Sequence, residues 1–473
     1  MNRVTVETDA LGHTTQTFYD GQGNSIQIID RDGHSTLRQY DVRQRLVKTT
    51  DALAQIEAYA YDGDDNRVSF TDRDGHTTTY GYDVQNRLSE TMDALGDTSV
   101  NTYDKVGNRL TMTDANGHTT TYTYDPLNRG ATMTDAAGDL TQYQYDTGTL
   151  AGCPLCGATP GSHLVTGQTD ANGKVTYTKY DALDREIDVV AKVSSTLDTI
   201  NPGVDAVTIS TYEPAGNRLT MTEPDGNTTT WTYDADNRVI SEVNAAGETT
   251  ITTYDGVGNV VTVTEPNLNV TTDAYDALDR MIQATDSAGP GYSYTYDPVG
   301  NRLSTTDGNG NTTRFAFDVL DRLITTTDPL GKTTTTAYDP VGNRLQSTDR
   351  NGNVTTWTYD AINRRIAATD ALGNTTQWQY DPVGNLAKLT DANSHATLYA
   401  YDSVNRRITE TYADSTSRSY TYDGVGNVLT RTDQIGQVTH YAHSDLYFLL
   451  SRNYPSGVND TFTYDLSGRM LSG

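Results

Sequence analysis

Residues 338 to 370 read Y-D-P-V-G-N-R-L-Q-S-T-D-R-N-G-N-V-T-T-W-T-Y-D-A-I-N-R-R-I-A-A-T-D. Two tyrosine–aspartate pairs, Tyr338-Asp339 and Tyr359-Asp360, stand 21 residues apart. Nearly all of the 473 residues vary this theme. Tyrosines at 19, 40, 61, 82, 103, 124 and 145 step by 21. The slots at 212, 233, 254, 275, 296, 317, 338, 359, 380, 401 and 422 do the same. Phe317 replaces one tyrosine and Glu213 one aspartate. A fixed period of this kind marks an array of like units rather than a mixed fold.

The dipeptide carries turn chemistry. In Tyr296-Asp297-Pro298-Val299-Gly300-Asn301 the aspartate suits the first position of a type I turn, proline presets the second, and glycine allows the positive φ that follows. That order predicts a hairpin with a bulged closure. A second turn recurs as Thr-Asp-x-x-Gly-Asn/His, at Asp307 to Asn311, Asp349 to Asn353 and Asp370 to Asn374. About six residues rich in Thr, Tyr, Trp, Val, Ile and Leu separate the turns, a composition that favours a pleated surface. Thr119 to Tyr124 alternates threonine with aromatic at period two. The fold class is therefore all-β: a long antiparallel hairpin meander of some forty strands, whose twist coils it into a spiral, shell-like strip. At about 4.8 Å between strands its length is on the order of 200 Å.

A finer period overlies this one. The turns after Tyr-Asp alternate between Gly-Asn (Gly300-Asn301, Gly342-Asn343, Gly384-Asn385) and Asn-Arg or Asp-Arg (Asp321-Arg322, Asn363-Arg364, Asn405-Arg406). The true repeat is then 42 residues, two unlike hairpins. The first apolar residue after the turn comes one place later in the Gly-Asn class (Leu303) than in the other (Leu88). Because a one-residue slip reverses a strand's faces, successive hairpins are expected to differ in turn or bulge geometry, with Arg and Leu trading places relative to the wall.

Four stretches follow along the chain: an array over 1–146; interrupted repeats over 147–206, with a cysteine-bearing and an Asn-Pro-Gly insertion; a second array over 207–433; and divergent repeats over 434–473. The sequence enters directly into a repeat and stops shortly after a hairpin turn, so it is expected to be cut at both ends. Apolar residues make up only 35%, with 32 Tyr against 6 Phe, which argues against a thick hydrocarbon core and for a thin wall with water near both faces. The formal charge of −28 argues against nucleic acid or an anionic membrane as partner. No apolar run approaches the roughly 20 residues of a membrane span.

Candidate chemistry is sparse. Cys153 and Cys156, in C-P-L-C, lie among loop residues; they lack the helix N-terminus that a redox pair uses and the second ligand pair that a zinc site needs. They read as a loop turn and a candidate local disulfide. His13, His34, His76, His118 and His395 fill a turn slot that asparagine fills elsewhere, which fits turn geometry and not ligation. Aspartates near glycine invite a calcium reading, but the period is 21 rather than nine. No phosphate loop, zinc-protease or serine-hydrolase motif is present. No catalytic residue, cofactor or metal is expected. The residues that define the unit are structural: Tyr296, Asp297, Gly300, Asn301, Tyr338, Asp339, Gly342, Tyr359, Asp360 and Asn363.

The unit G-[NH]-x-T-x-x-Y-x-Y-D-x-x-G/N-[NR]-[RL], in about twenty copies, resembles the YD repeat of the RHS family: bacterial polymorphic-toxin proteins, cocoon-forming components of Tc toxins, and the teneurins. The resemblance implies a β-strip spiralling into a hollow shell around a polypeptide cargo, often the protein's own C-terminal toxin, in a parent protein that is secreted or at the cell surface. Neither the family's core-closing motif with its self-cleaving aspartates nor a variable toxin domain occurs in these residues. The reading is a non-catalytic shell segment, with its own or a neighbouring polypeptide as cargo and with end-to-end self-association through exposed strand edges. The alternative is a surface adhesion or carbohydrate-binding array using Tyr, Trp231, Trp357 and Trp378 as platforms.

Overall fold

The computed structural model describes residues 3–145, 163–191 and 203–473, and these contain no helix. Forty-two strands form one sheet, and the last two, Thr463–Tyr464 and Met470–Ser472, form a separate pair. Strands are five or six residues long in almost every repeat and pair antiparallel with their sequence neighbours, as Thr312–Phe317 does with Arg302–Asp307 and with Leu323–Thr327. The meander follows from turn residues arriving every ten or eleven positions, which leaves no length for a crossover.

The two kinds of turn close alike. Asp297 N–H donates to the Asn301 carbonyl at 3.0 Å, and Gly300 N–H donates to the Asp297 carbonyl at 3.3 Å. Asp307 repeats the pattern with Asn311 at 3.0 Å and Gly310 at 2.9 Å. Each is a type I turn followed by a left-handed residue, the three-residue hairpin loop that the sequence implies. The Tyr-Asp hairpin then carries a second irregularity: Tyr296 pairs with Arg302 but Thr295 with Ser304, so the register breaks by one. The Thr-Asp hairpin has no such break, running from Thr306↔Thr312 to Ser304↔Arg314. Paired threonine hydroxyls, Thr306 with Thr312 and Thr369 with Thr375, both at 2.8 Å, tie its base.

The alternating classes do not differ in closure or register as expected. Phe317 pairs with Leu323 and Ala316 with Thr325, the same break in the same place. Their dihedrals do form two groups, φ of 110°, 104° and 95° at Gly300, Gly342 and Gly384 against 60° and 66° at Asp321 and Asn363, but all are left-handed. With one common register, the exchange of Arg and Leu lies in the sequence: Arg302 and Leu323 occupy the same slot opposite the aromatic, and Leu303 takes the slot of Ile324.

Among the described residues only Val190 and Ala206 are buried apolar side chains. The wall is one sheet thick, and most side chains are half-buried on one face or the other. The segment after the first insertion is in register by Val165–Thr169, which pairs with Leu140–Tyr145. Cys153 and Cys156 lie outside the described residues. The divergent end keeps the pattern: Val438–His443 pairs with Leu449–Asn453 around a turn with Tyr447 at φ 66°.

The chain packs as two compact units, each built from an early and a late part. One holds residues 1–98, 251–378 and 390–394; the other holds 99–250, 379–389 and 395–473. Within each, the strip returns on itself, so that Thr-Asp turns of early repeats meet Tyr-Asp turns of late ones. In the first unit Gln55, with its amide oriented to satisfy both ends, donates to the Pro340 carbonyl at 2.9 Å. In the second, the Asn116 amide donates to Asp381 Oδ2 at 3.0 Å and that of Asn172 to Asp423 Oδ2 at 2.9 Å. Arg469 there pairs with Glu223 and Asp225, and Tyr447 O–H donates to Asp170.

Candidate functional site

The repeat-defining residues form a row of hairpin turns, and each turn is closed by its own aspartate. Asp339 Oδ1 accepts from the backbone N–H of Gly342 at 2.8 Å and of Asn343 at 2.6 Å. Its Oδ2 accepts the Asn343 amide at 2.8 Å. Asp297 makes the same backbone bonds to Gly300 and Asn301, at 2.8 and 2.6 Å. In the other class arginine replaces the amide: Asp360 Oδ1 accepts from Arg364 N–H at 2.9 Å, and Oδ2 from Arg364 Nε at 2.7 Å. Hydrogen bonds to the ionised form hold the Asp307 and Asp41 carboxyls below the usual range. At Asp307 the Asn311 amide is the main cause; at Asp41 it is the Arg45 backbone N–H, then the Arg45 guanidinium.

The tyrosine does something that turn chemistry does not reveal. Tyr296 O–H donates to the Met281 carbonyl at 2.7 Å, Tyr338 O–H to Leu323 at 2.9 Å and Tyr359 O–H to Arg344 at 3.0 Å. Each acceptor is the residue paired with the preceding aromatic, at the register break where the ladder is interrupted. The same bond recurs from Tyr40 to Ser25 and from Tyr422 to Arg407. Each hydroxyl thus supplies a donor to a carbonyl at the bulge of the previous hairpin.

Turns are then joined to turns by two alternating bridges. The Gly-Asn class reaches forward through its amide: Asn301 to Asp321 Oδ1 and Asn343 to Asn363 Oδ1, both at 2.8 Å, and Asn66 to Asn86 at 3.0 Å. The Arg class reaches forward through its guanidinium. Arg322 Nη1 donates to the Asp339 carbonyl at 2.7 Å, and the group lies 5.0 Å from the Tyr338 ring centre. Arg280 does the same to Asp297 and Tyr296, at 2.7 and 4.9 Å. A second arginine slot stacks on the other aromatic of the strand: Arg344 on Trp357 at 4.1 Å, Arg365 on Trp378 at 4.3 Å and Arg218 on Trp231 at 4.8 Å.

In the Thr-Asp turn His13 takes the task of asparagine, whereas Nδ1 of His34, His76 and His118 stands 3.5 to 3.6 Å from the turn aspartate without a hydrogen bond. His13 Nδ1 lies 3.1 Å from Asp9 Oδ2, where Asn311 and Asn353 place their amides 2.9 and 2.8 Å from Asp307 and Asp349. No group of three or more His, Cys, Asp or Glu suited to a metal occurs among the described residues, and no helix there is long and apolar enough to cross a membrane. A cavity of about 440 Å³ in the first unit lies where early and late repeats meet, lined among others by Phe70, Arg73, His76, Val341 and Ile362. Arg73 there pairs with Glu57 at 3.0 Å and Asp51 at 3.4 Å.

Comparison with solved structures finds this fold in Tc toxin assemblies. The crystal structure of TcdB2-TccC3 is 15% identical, with a TM-score of 0.52, over 97% of this chain and 32% of that one. A Photorhabdus luminescens Tc holotoxin pore is 15% identical, with a TM-score of 0.46, over 95% of this chain and 29% of that one. The chain thus spans about a third of the length of the solved chains it matches. Comparison with curated proteins finds no match. The family model described as RHS Repeat matches nine times, at residues 19–56, 61–98, 103–139, 212–250, 254–290, 296–333, 338–375, 359–396 and 380–417. These matches cover well over half of the sequence, and the chain belongs to the RHS repeat family.

Proposed function

We propose that the chain is a non-catalytic wall segment that encloses or presents a polypeptide cargo such as a toxin, in a parent protein that is secreted or displayed at the cell surface. The observation that carries this reading is a wall one sheet thick with almost no apolar core, whose polar side chains are used to bond one hairpin to the next. Such a construction spends its chemistry on continuity and encloses space rather than shaping a pocket. The fold shared with TcdB2-TccC3 supports the same reading. Trp231, Trp357 and Trp378, the platforms of a carbohydrate-binding alternative, each have a ring covered by an arginine, a surface that a sugar would need.

The test is protection. A short unstructured passenger fused after Gly473 should resist a protease that cleaves it rapidly when free, while a denatured fusion is cut at once. Equal cleavage of the passenger in the folded fusion and in isolation would contradict enclosure.

A further inference from the structure

The cavity of about 440 Å³ at the seam of the first unit is walled from both sides. Phe70 and Ala94 come from early repeats; Val341, Ala361 and Ile362 come from late ones. They form an apolar wall around a space in the range, roughly 300–1,000 Å³, that small molecules occupy. The repeat by itself does not supply this wall. Phe70 lies opposite the residue two before the conserved tyrosine, and the same slot holds Thr49 and Thr91 in the neighbouring repeats.

The polar side of the cavity is negative. Its arginine, Arg73, is shared between two carboxylates, Glu57 at 3.0 Å and Asp51 at 3.4 Å. Glu57 also accepts from Tyr59 O–H at 3.0 Å, so both of its oxygens are bonded. Asp72, which lines the cavity as well, differs. Its Oδ1 accepts the backbone N–H of Asp74 at 3.0 Å and of His76 at 2.9 Å. Its Oδ2 stands 3.6 Å from His76 Nδ1 and makes no hydrogen bond. Asp74 and Asp339 deepen the negative field: burial first, then the Asp339 charge, raise the Asp74 carboxyl above its ordinary value. A cleft with low-dielectric walls concentrates a field of one sign, so this one favours a cation with an apolar arm.

From this geometry we infer that the cavity is a binding site for a small organic cation, a primary ammonium on an aryl or branched alkyl arm. The ammonium donates to Asp72 Oδ2, and the arm packs against Phe70, Val341 and Ile362. Because the wall comes from early and late repeats together, such a ligand binds the closed seam alone and holds it shut. The site is independent of what the strip encloses.

Phenethylamine, an ammonium at pH ~7, is the probe, with 2-phenylethanol and 3-phenylpropionate as its neutral and anionic counterparts. Calorimetric titration of the 473-residue chain at about 0.15 M salt, where diffuse attraction to its charge is screened, should show a single amine site per chain. The amine should bind about tenfold tighter than the alcohol, and the anion not at all. Hydrogen exchange at residues 72–76 and 341–363 should slow when the amine is bound. Asp72→Asn keeps the turn, since Asn244 caps its own through the same two backbone bonds, to Ala246 and Glu248, both at 3.0 Å. That variant should bind amine and alcohol equally. Phe70→Thr, the neighbours' residue, should weaken amine and alcohol alike, and Asp114→Asn, the same slot in a turn away from the cavity, should change neither. No amine binding, equal affinity for amine and alcohol in the native chain, or a preference that survives Asp72→Asn would overturn the proposal. So would loss of the preference in Asp114→Asn, or binding that leaves exchange at both stretches unchanged.

Discussion

Asn343 donates its side-chain amide to Oδ1 of Asn363, 2.8 Å away and 20 residues along the chain. One residue beyond Asn363, Arg364 takes the role that Arg322 plays two turns earlier, binding its own turn's carboxylate. The alternation of Gly-Asn and Asn-Arg turns is therefore a bonding code. An amide links the first turn to the second, and a guanidinium links the second to the next first. Two Gly-Asn turns in succession would leave the amide without its side-chain acceptor, since glycine stands in that slot, which favours a repeat of 42 residues over one of 21.

Asn343→Ala removes two bonds, to Asp339 and to Asn363, from a half-buried site. The expected loss is about 1–2 kcal/mol at that pair of turns. Hydrogen exchange should show faster opening over residues 338–365, with distant repeats unchanged, because an array responds locally.

Arg322→Lys keeps the charge but loses the fork that spans Asp318, the Asp339 carbonyl and the Tyr338 ring. Lysine cannot serve all three at once, so a cost of about 1–2 kcal/mol is expected. Arg314→Lys, at an exposed strand position, should cost under about 0.5 kcal/mol by the same measurement.

Tyr296→Phe deletes only the hydroxyl that bonds the Met281 carbonyl. About 1 kcal/mol of local stability should go, with the strands still paired, since Phe317 already fills one tyrosine slot in the array. Differential scanning calorimetry, with exchange at residues 275–296, reads both outcomes.

Much of this fold was legible from residues close together in sequence. Asp297-Pro298-Val299-Gly300 encodes its turn within four residues, and Thr119 to Tyr124 its strand by simple alternation. The alternation of turn classes was legible too. The reason for the alternation was not, because Asn343 and Asn363 meet only once consecutive hairpins are stacked in register. A one-residue offset in the apolar pattern pointed to two turn or bulge geometries; the φ of the left-handed residue does differ between the classes, while the register break is shared and the side chain that fills each slot changes. The tyrosine hydroxyl was hidden for the same reason, its acceptor lying 15 residues upstream on a neighbouring hairpin. The seam was least legible: Asn116 and Asp381 are 265 residues apart, and no local motif marks the meeting.

Acid should act in two opposite steps. Asp307, Asp349 and Asp370 are held low chiefly by the amides of Asn311, Asn353 and Asn374, so the stability they contribute is present above the unfolded value near pH ~4 and is lost as pH falls through their lower folded values. Asp32 and Asp74 are raised, first by burial and then by Asp297 and Asp339 respectively. Their charges oppose the seam at neutral pH, and that opposition fades as pH falls through their raised values. Protection of the seam should therefore rise in mild acid before the turns fail at lower pH. Asp74→Asn should remove part of the rise, read as exchange at residues 72–76 against pH.

The proposed function places a passenger inside the wall that the strip forms. Small-angle scattering of the chain with and without a short unstructured fusion after Gly473 tests it most directly. Mass placed within a wall leaves the radius of gyration unchanged or slightly smaller, which is the result expected. A radius that grows as it would for a free tail would contradict the account.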